Sequence, residues 1–490
     1  MKKKSSETVG MGELSRFFFY ENQKHLNPFQ EMFDVRFNYE AIECLTTDCK
    51  MTEHLEREFE SIRKQCVADP FVESYRTGVR DYYRRFMNEY EPEIKKEIRR
   101  LFGRNYPEYM VTVGIGANEL FTRFAASINN ESESRRLEWF VINSPKDMSS
   151  LPKEITTENT IFLEFSRSGV AEETVKIHEY TPRKTKRIIF SNGGPLVDLA
   201  ARDGNLILPL PPEISGRYGR NKTPILLAPM VVAGMDVEQH WKDIDLAIRE
   251  FNVYDGKSLP FAIAKYIYIS QSMYPPETIT CTQNNNGVGQ YEKRCPSKNL
   301  IYLGCNDNDL GLLGDQFLQF WNEGVNRPGN DLMISRFFGL PRDSHMNIEG
   351  ILGNHSDKIG IFLLRTNMRE RKMHPIVSMV PDVLNPEHKG LHFGDEDVVF
   401  AMANYKRLSE LMPTILVSIP NKITMAHSAV LGQLFADITF IYSRMVNVDP
   451  GDNPEVQSIR ENSTRFLSSA AKEIREKDVP IEKAAWELTK

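Results

Sequence analysis

The chain has 490 residues, 41% of them hydrophobic and 26% charged, with a formal net charge of −6. That length exceeds one average domain, and the composition suits a globular protein able to bury large cores. The small charge leaves no footprint for nucleic acid, and the longest apolar run, Pro224 to Met235, is interrupted by proline and too short to span a bilayer. The basic start, Met1-Lys-Lys-Lys, is not followed by an apolar stretch, so it does not read as a secretory signal. Six cysteines (Cys44, Cys49, Cys66, Cys281, Cys295 and Cys305) match no zinc spacing. They read as thiols of a reducing compartment, which makes a cytoplasmic protein the expectation.

Residues Glu53 to Arg104 are predicted helical, because Leu55, Phe59, Ile62, Val79, Tyr83 and Phe86 recur at helical intervals among charges. Asn105 and Pro107 end that pattern. The apolar run from Tyr109 ends in glycines at Gly114 and Gly116, and an amphipathic stretch follows from Asn118 to Ile128. Short apolar runs at Leu137–Asn143, Thr160–Phe165, Arg187–Ser191 and Leu206–Leu210 then alternate with helix-like segments. Buried strands alternating with helices predict a parallel sheet covered on both faces.

Pro224–Met235, Ile244–Phe251 and Leu259–Ile269 read as helices. Beyond a polar loop at Gln283–Gly287 comes a second set of strands, Leu300–Gly304, Lys358–Arg365 and Thr414–Ile419, with helices at Leu310–Glu323 and Asp395–Met412. The fold class is therefore α/β, with two doubly wound parallel-sheet units and helical extensions at both ends. The predicted division is a helical N-terminal region at 1–100, a first α/β domain at 101–245, a second at 246–445 and a C-terminal helical arm at 446–490.

Ligands of open α/β sheets sit beyond the carboxyl ends of the strands. There, Gly114-Ile-Gly116-Ala-Asn118 permits close backbone approach, although as a dinucleotide fingerprint it lacks its third glycine. Ser166-Arg167-Ser168-Gly169 places hydroxyls, a guanidinium and backbone N–H groups at a helix start, which suits an anion as well as it suits plain helix capping. Glu172 and Glu173 follow in the first turn. Arg217 lies in a cationic, glycine-containing loop that runs to Lys222. Glu323 ends a predicted helix, where its charge opposes the dipole; it is either a solvated surface residue or a local conflict of the kind functional sites tolerate. His345 follows the carboxylate Asp343, and Asn453 precedes a proline that opens a helix. His388 and His392 have no evident third ligand, so neither a metal site nor a cofactor is expected.

In this order, six segments resemble the glucose-6-phosphate isomerase family, whose two halves are sugar-isomerase (SIS) domains. Gly114-Ile-Gly-Ala-Asn-Glu-Leu resembles GIGGSxLG, and Ser166-Arg-Ser-Gly resembles the SKSGTT phosphate loop. Ser215-Gly-Arg217-Tyr is similar to GGRFS, Gln319-Phe-Trp-Asn-Glu323-Gly to QxxxES, and Asp343-Ser-His345 to DxHS. Asp452-Asn453-Pro-Glu-Val-Gln-Ser-Ile-Arg460 follows the DQPGVExxK register.

The resemblance implies an aldose–ketose isomerase in which Glu323 is the base, Arg217 stabilises the enediolate and His345, donated by the second subunit of a homodimer, assists ring opening with Arg460. Ser166, Arg167, Ser168 and Thr174 would hold the C6 anion, while Gly116, Asn118, Glu173 and Asn453 would contact the sugar or order the loop. The default substrates are glucose 6-phosphate and fructose 6-phosphate. The departures cluster at the anion and ring-opening positions: Arg167 and Arg460 stand for lysines, Val170-Ala171 for a threonine pair, Asn118 for serine and Asn453 for glutamine. They open two alternatives, an isomerase of a 6-sulfonated hexose such as sulfoquinovose and a non-catalytic SIS sensor of sugar phosphates.

Overall fold

The computed structural model describes residues 27–38, 49–76, 78–211, 217–272, 300–325, 333–338, 358–368 and 393–451, with shorter stretches between and after them. The chain forms two compact units, Met1–Val448 and Asp449–Lys490. In the first, β1 (Asp34–Phe37) precedes α1 (Cys49–Ala68), α2 (Pro70–Tyr75), α3 (Val79–Arg85), a π-helical turn at Phe86–Tyr90 and α4 (Glu91–Phe102). Then come β2 (Tyr109–Val113), α5 (Ala117–Glu131), β3 (Glu138–Ile142), β4 (Thr160–Phe165), α6 (Glu172–Tyr180), β5 (Lys186–Phe190), α7 (Gly194–Arg202) and β6 (Leu206–Leu208). A 3-10 turn at Arg217–Lys222 leads to α8 (Pro224–Ala233), α9 (Val237–Glu250) and α10 (Leu259–Ser272), followed by the short antiparallel pair β7 (Thr278–Ile279) and β8 (Tyr291–Glu292). The rest is β9 (Leu300–Cys305), α11 (Asn308–Gly324), β10 (Met333–Phe338), β11 (Lys358–Arg365), α12 (Phe393–Ser409), β12 (Thr414–Ile419) and α13 (Met425–Met445). In the second unit, the described residues between 465 and 476 are helical.

Two parallel sheets result, ordered β3-β2-β4-β5-β6 and β10-β9-β11-β12-β1. Every residue of β4 and of β11 is buried, as expected for strands covered by helices on both faces. The N-terminal region departs from an all-helical reading. Its β1 pairs antiparallel with β12, Asp34 opposite Ser418, and covers what would otherwise be an open sheet edge.

In each sheet the chain reverses direction at one strand. β2 lies between β3 and β4, and β9 lies between β10 and β11, so each sheet has a crevice at the carboxyl end of that strand. The helices leaving these crevices, α5 and α11, pack on one another. Gln319 of α11 lies against Gly116 before α5, and Ser127 Oγ of α5 donates to Asp309 Oδ1 of α11 at 2.6 Å. The two helices therefore run antiparallel, which brings the end of α11 to the crevice of the first sheet.

α13 runs through the core, packed on α1, α9, α10 and α11. Its apolar residues bury on all sides, as in a helix with no solvent face. Its buried Asp437 and Gln433 are both paired. Asp437 accepts from Arg76 and from the Tyr75 hydroxyl, and Gln433 bridges Asp437 to Lys222. A second buried polar cluster, Glu164, His178, Arg187 and Asp203, joins β4, α6, β5 and the end of α7.

Candidate active site

Glu323 is the next-to-last residue of α11, where the last carbonyls of a helix have no partners within it. Arg217, from the 3-10 turn, meets both problems of that position. Its Nη2 donates to the Glu323 main-chain carbonyl at 2.9 Å, and its Nη1 donates to Glu323 Oε2 at 3.2 Å. Glu323 Oε1 accepts from Gln319 Nε2 at 2.9 Å, one helical turn earlier on the same face. The carboxylate is one-third exposed and the guanidinium is buried. Glu323 is therefore not a free surface residue, and the charge conflict read from the sequence is balanced by a cation 106 positions away.

Gly116 closes the other wall. It adopts φ +59°, a left-handed conformation that favours glycine, and a Cβ there would lie 3.4 Å from Gln319 Nε2. Two residues on, Asn118 Nδ2 donates to the Phe165 carbonyl at 3.3 Å, joining the start of α5 to the end of β4. Asn118 Oδ1 is buried without a hydrogen-bond partner among the described residues.

The loop after β4 is folded on itself. Ser166 N donates to the Phe190 carbonyl, Gly169 N donates to the Ser166 carbonyl, and Ser166 Oγ accepts from Ala171 N at 3.4 Å. Arg167 is half-buried, Ser168 and Val170 are exposed, and Gly169 is buried at φ +68°. The backbone of the next loop supports this one: Asn192 N donates to Arg167 O and Leu196 N to Gly169 O. The residue capping α6 is Ala171, which provides no side-chain acceptor, so the serines do not cap this helix. Thr174, in the first turns of α6, is fully buried, and its hydroxyl lacks a partner among the described residues. Glu173 is exposed. An unfilled helix start, a half-buried cation and an unpaired buried hydroxyl together suit an anion.

The corresponding crevice of the second sheet is filled differently. Asn306 pairs with the Arg365 backbone in both directions at 2.8 Å, and Arg365 Nη1 lies 3.4 Å from Asp307 Oδ2, both side chains being buried. Asp307 also caps α11 by accepting from Asp309 N. The cation there is already neutralised by a carboxylate from the chain itself.

The structure thus brings together Gly116, Asn118, Arg217 and Glu323, with the 166–174 segment joined to them through Asn118. His345, Asn453 and Arg460 lie outside the described residues. Three neighbours of the site were not singled out by the sequence reading. Gln319 carries a signal, its four-residue spacing from Glu323. Tyr218 and Gly324 adjoin the predicted residues but show their importance only through packing.

No protein-family model matches the chain. The chain is 29% identical over 169 residues to a glucose-6-phosphate isomerase of Carboxydothermus hydrogenoformans; the match covers 30% of this chain and only 36% of that protein. Its fold is similar to a hypothetical protein of Thermus thermophilus, with a TM-score of 0.66 and 17% identity over 89% of this chain and all of that one. A glucose-6-phosphate isomerase of Chlamydia trachomatis also superposes, with a TM-score of 0.58 and 12% identity over 81% of this chain and 76% of that one. The two parallel sheets with their helices define an α/β protein with the fold of these two structures. The sequence likeness to a glucose-6-phosphate isomerase is confined to about a third of either protein, and the likeness to the two solved structures is one of fold. Among the described residues, no helix is long and apolar enough to cross a membrane.

Proposed function

We propose that the protein interconverts an aldohexose and a ketohexose carrying an anion at C6, with glucose 6-phosphate and fructose 6-phosphate as the first pair. The observation that carries this reading is the Glu323 carboxylate held between Arg217 and Gln319 at the mouth of the first crevice. Glu323 takes the proton from C2 of the open-chain aldose, and the electron pair moves to the carbonyl oxygen on C1, giving a cis-enediolate. The hydroxyl proton on O2 passes to O1, and Glu323 returns its proton to C1, which leaves the ketose. Arg217 faces the charge that develops on the two oxygens, where a fixed cation lowers the barrier more than any ground-state contact. Ser166, Arg167, Ser168 and Thr174 bind the C6 anion, and Asn118 and Glu173 order the loop and the sugar. His345, contributed by the partner subunit of a homodimer, opens the ring together with Arg460, while Asn453 orients the sugar.

One observation favours a second substrate within the same chemistry. The exposed Val170 and the non-capping Ala171 leave the loop short of hydroxyl donors. A sulfonate carries less charge than a phosphate dianion and needs fewer donors, so a 6-sulfonated hexose is the competing substrate. A panel of hexose 6-phosphates and 6-sulfonates followed by NMR separates the two. Glu323→Gln should abolish solvent-proton exchange at C2 while the sugar still binds. Exchange at the wild-type rate in that variant would remove Glu323 from its role, and binding without any turnover by the wild type would favour a sensor.

A further inference from the structure

Gly324 follows Glu323 directly and is the last residue of α11. It is not among the glycines with a positive φ, so the backbone does not demand glycine there, and glycine costs a helix about 1 kcal/mol relative to alanine. The reason is space. A Cβ on Gly324 would lie 3.0 Å from Thr439 Cγ2, 3.1 Å from the Tyr218 hydroxyl and 3.8 Å from Arg217 Nε. Tyr218 itself cannot retreat. It is fully buried, with Phe71 edge-on at 5.1 Å, Tyr75 at 5.1 Å and Phe320 at 5.3 Å from its ring. The Arg217 guanidinium lies 5.5 Å from the centre of the same ring, close enough for a cation–π attraction. Burial pushes the Tyr218 hydroxyl up to about 12, against the opposing pull of Arg217, so it stays protonated beside the cation.

Both members of this contact differ from the motifs they resemble, GGRFS and QxxxES, which carry phenylalanine and serine where this chain has Tyr218 and Gly324. We propose that Tyr218 and Gly324 are a matched pair that seats Arg217 on Glu323, making Tyr218 a positioning residue for the isomerisation; the inference rests on the reading of Glu323 and Arg217 given above. A side chain at 324 would press on the phenol and on Thr439 and, through the phenol, on the guanidinium that lies against its ring, and loss of the phenol oxygen would open the space that holds that ring in place.

The test is a cycle of Gly324→Ser, Tyr218→Phe and the double variant, with kcat and KM measured on the substrate that the sugar panel identifies and folding checked by thermal melting. Gly324→Ser should lower kcat by about 100-fold and Tyr218→Phe by about 10-fold, with KM nearly constant, because the anion loop is untouched. The double variant should recover part of the loss of Gly324→Ser, since the phenol no longer meets the serine while Thr439 still does. Multiplicative losses in the double variant, or wild-type kcat in Gly324→Ser, would overturn the pairing. Crystal structures of the same variants decide the matter without any activity. If the wild type turns over no sugar, the functional reading fails, whereas the pairing is then judged by structure alone and fails if Arg217 keeps its contacts to Glu323 in Gly324→Ser.

Discussion

Arg217 makes two bonds to one residue, 2.9 Å to the main-chain carbonyl of Glu323 and 3.2 Å to its carboxylate. A planar guanidinium bridges two acceptors through two separate nitrogens in this way, whereas an ammonium would have to serve both from a single nitrogen on a differently shaped stem. Arg217→Lys is therefore expected to behave much like Arg217→Ala. Both should lose about 100- to 1,000-fold in kcat, the range for removal of one preorganised donor from developing negative charge. Steady-state kinetics of the two variants side by side checks this, and near-normal kcat in the lysine variant would show that charge alone suffices.

Anion binding by the 166–171 loop, as proposed, should depend on Gly169 more than on any of its polar side chains. A Cβ at this position would lie 1.6 Å from the Gly193 carbonyl oxygen, and its φ of +68° disfavours other residues. Gly169→Ala must push the 166–171 loop away from the 191–194 loop, breaking the bonds from Asn192 to Arg167 and from Leu196 to Gly169. The loop would then present its donors in the wrong geometry. We expect KM for the anionic sugar, or Kd for inorganic phosphate measured by calorimetry, to rise about tenfold or more. Unchanged phosphate affinity would place the anion elsewhere.

How far the sequence could be read depended on the range of each interaction. The strands Thr160–Phe165, Lys358–Arg365 and Thr414–Ile419 were legible because each is a short apolar run between turn signals, and the structure has them at those bounds. α13 was not legible: it is buried on all sides, so it has no polar face and hence no helical period to detect. β1 escaped for the opposite reason, since four residues are too few to set a pattern. The motifs located Glu323 and Arg217 separately, but that one caps and faces the other is a tertiary fact. Gln319 could have been found from its helical spacing to Glu323, whereas the role of Gly324 depends on Tyr218 and Thr439, which only packing brings near.

Behind the 166–171 loop, Glu164 and Arg187 are fully buried, with 3.4 Å between Oε1 and Nε, and His178 Nδ1 lies 2.7 Å from Glu164 Oε2. Burial lowers the Arg187 pKa, with Glu164 and Asp203 opposing that pull. Removing one partner of such a cluster leaves an uncompensated charge in the core. Glu164→Ala should cost about 3–5 kcal/mol of folding stability, far more than loss of an exposed pair such as Lys176–Glu172, worth about 0.3–0.5 kcal/mol. Urea denaturation of Glu164→Ala and Glu172→Ala compares them directly. A loss below about 1 kcal/mol for Glu164→Ala would mean that Arg187 finds a replacement partner or water.

Acid should weaken the fold through two buried histidines. His240 Nε2 lies 3.1 Å from the Asn221 carbonyl, and burial pushes this group down to about 4 from its ordinary 6.5. His427, packed near Arg365, is likewise pushed down to about 4, chiefly by burial. Between these values an unfolded chain takes up a proton at each histidine that the folded protein refuses. The unfolded state therefore binds more protons, and stability must fall as the pH drops from about 6.5 to about 4, then level off for these groups. Each histidine accounts for roughly 3 kcal/mol across the window. His240→Gln keeps a donor for the Asn221 carbonyl but cannot titrate. Urea midpoints measured from pH 7 to pH 4.5 should therefore decline less steeply in this variant than in the wild type, and equal slopes would show that His240 is protonated in the folded state.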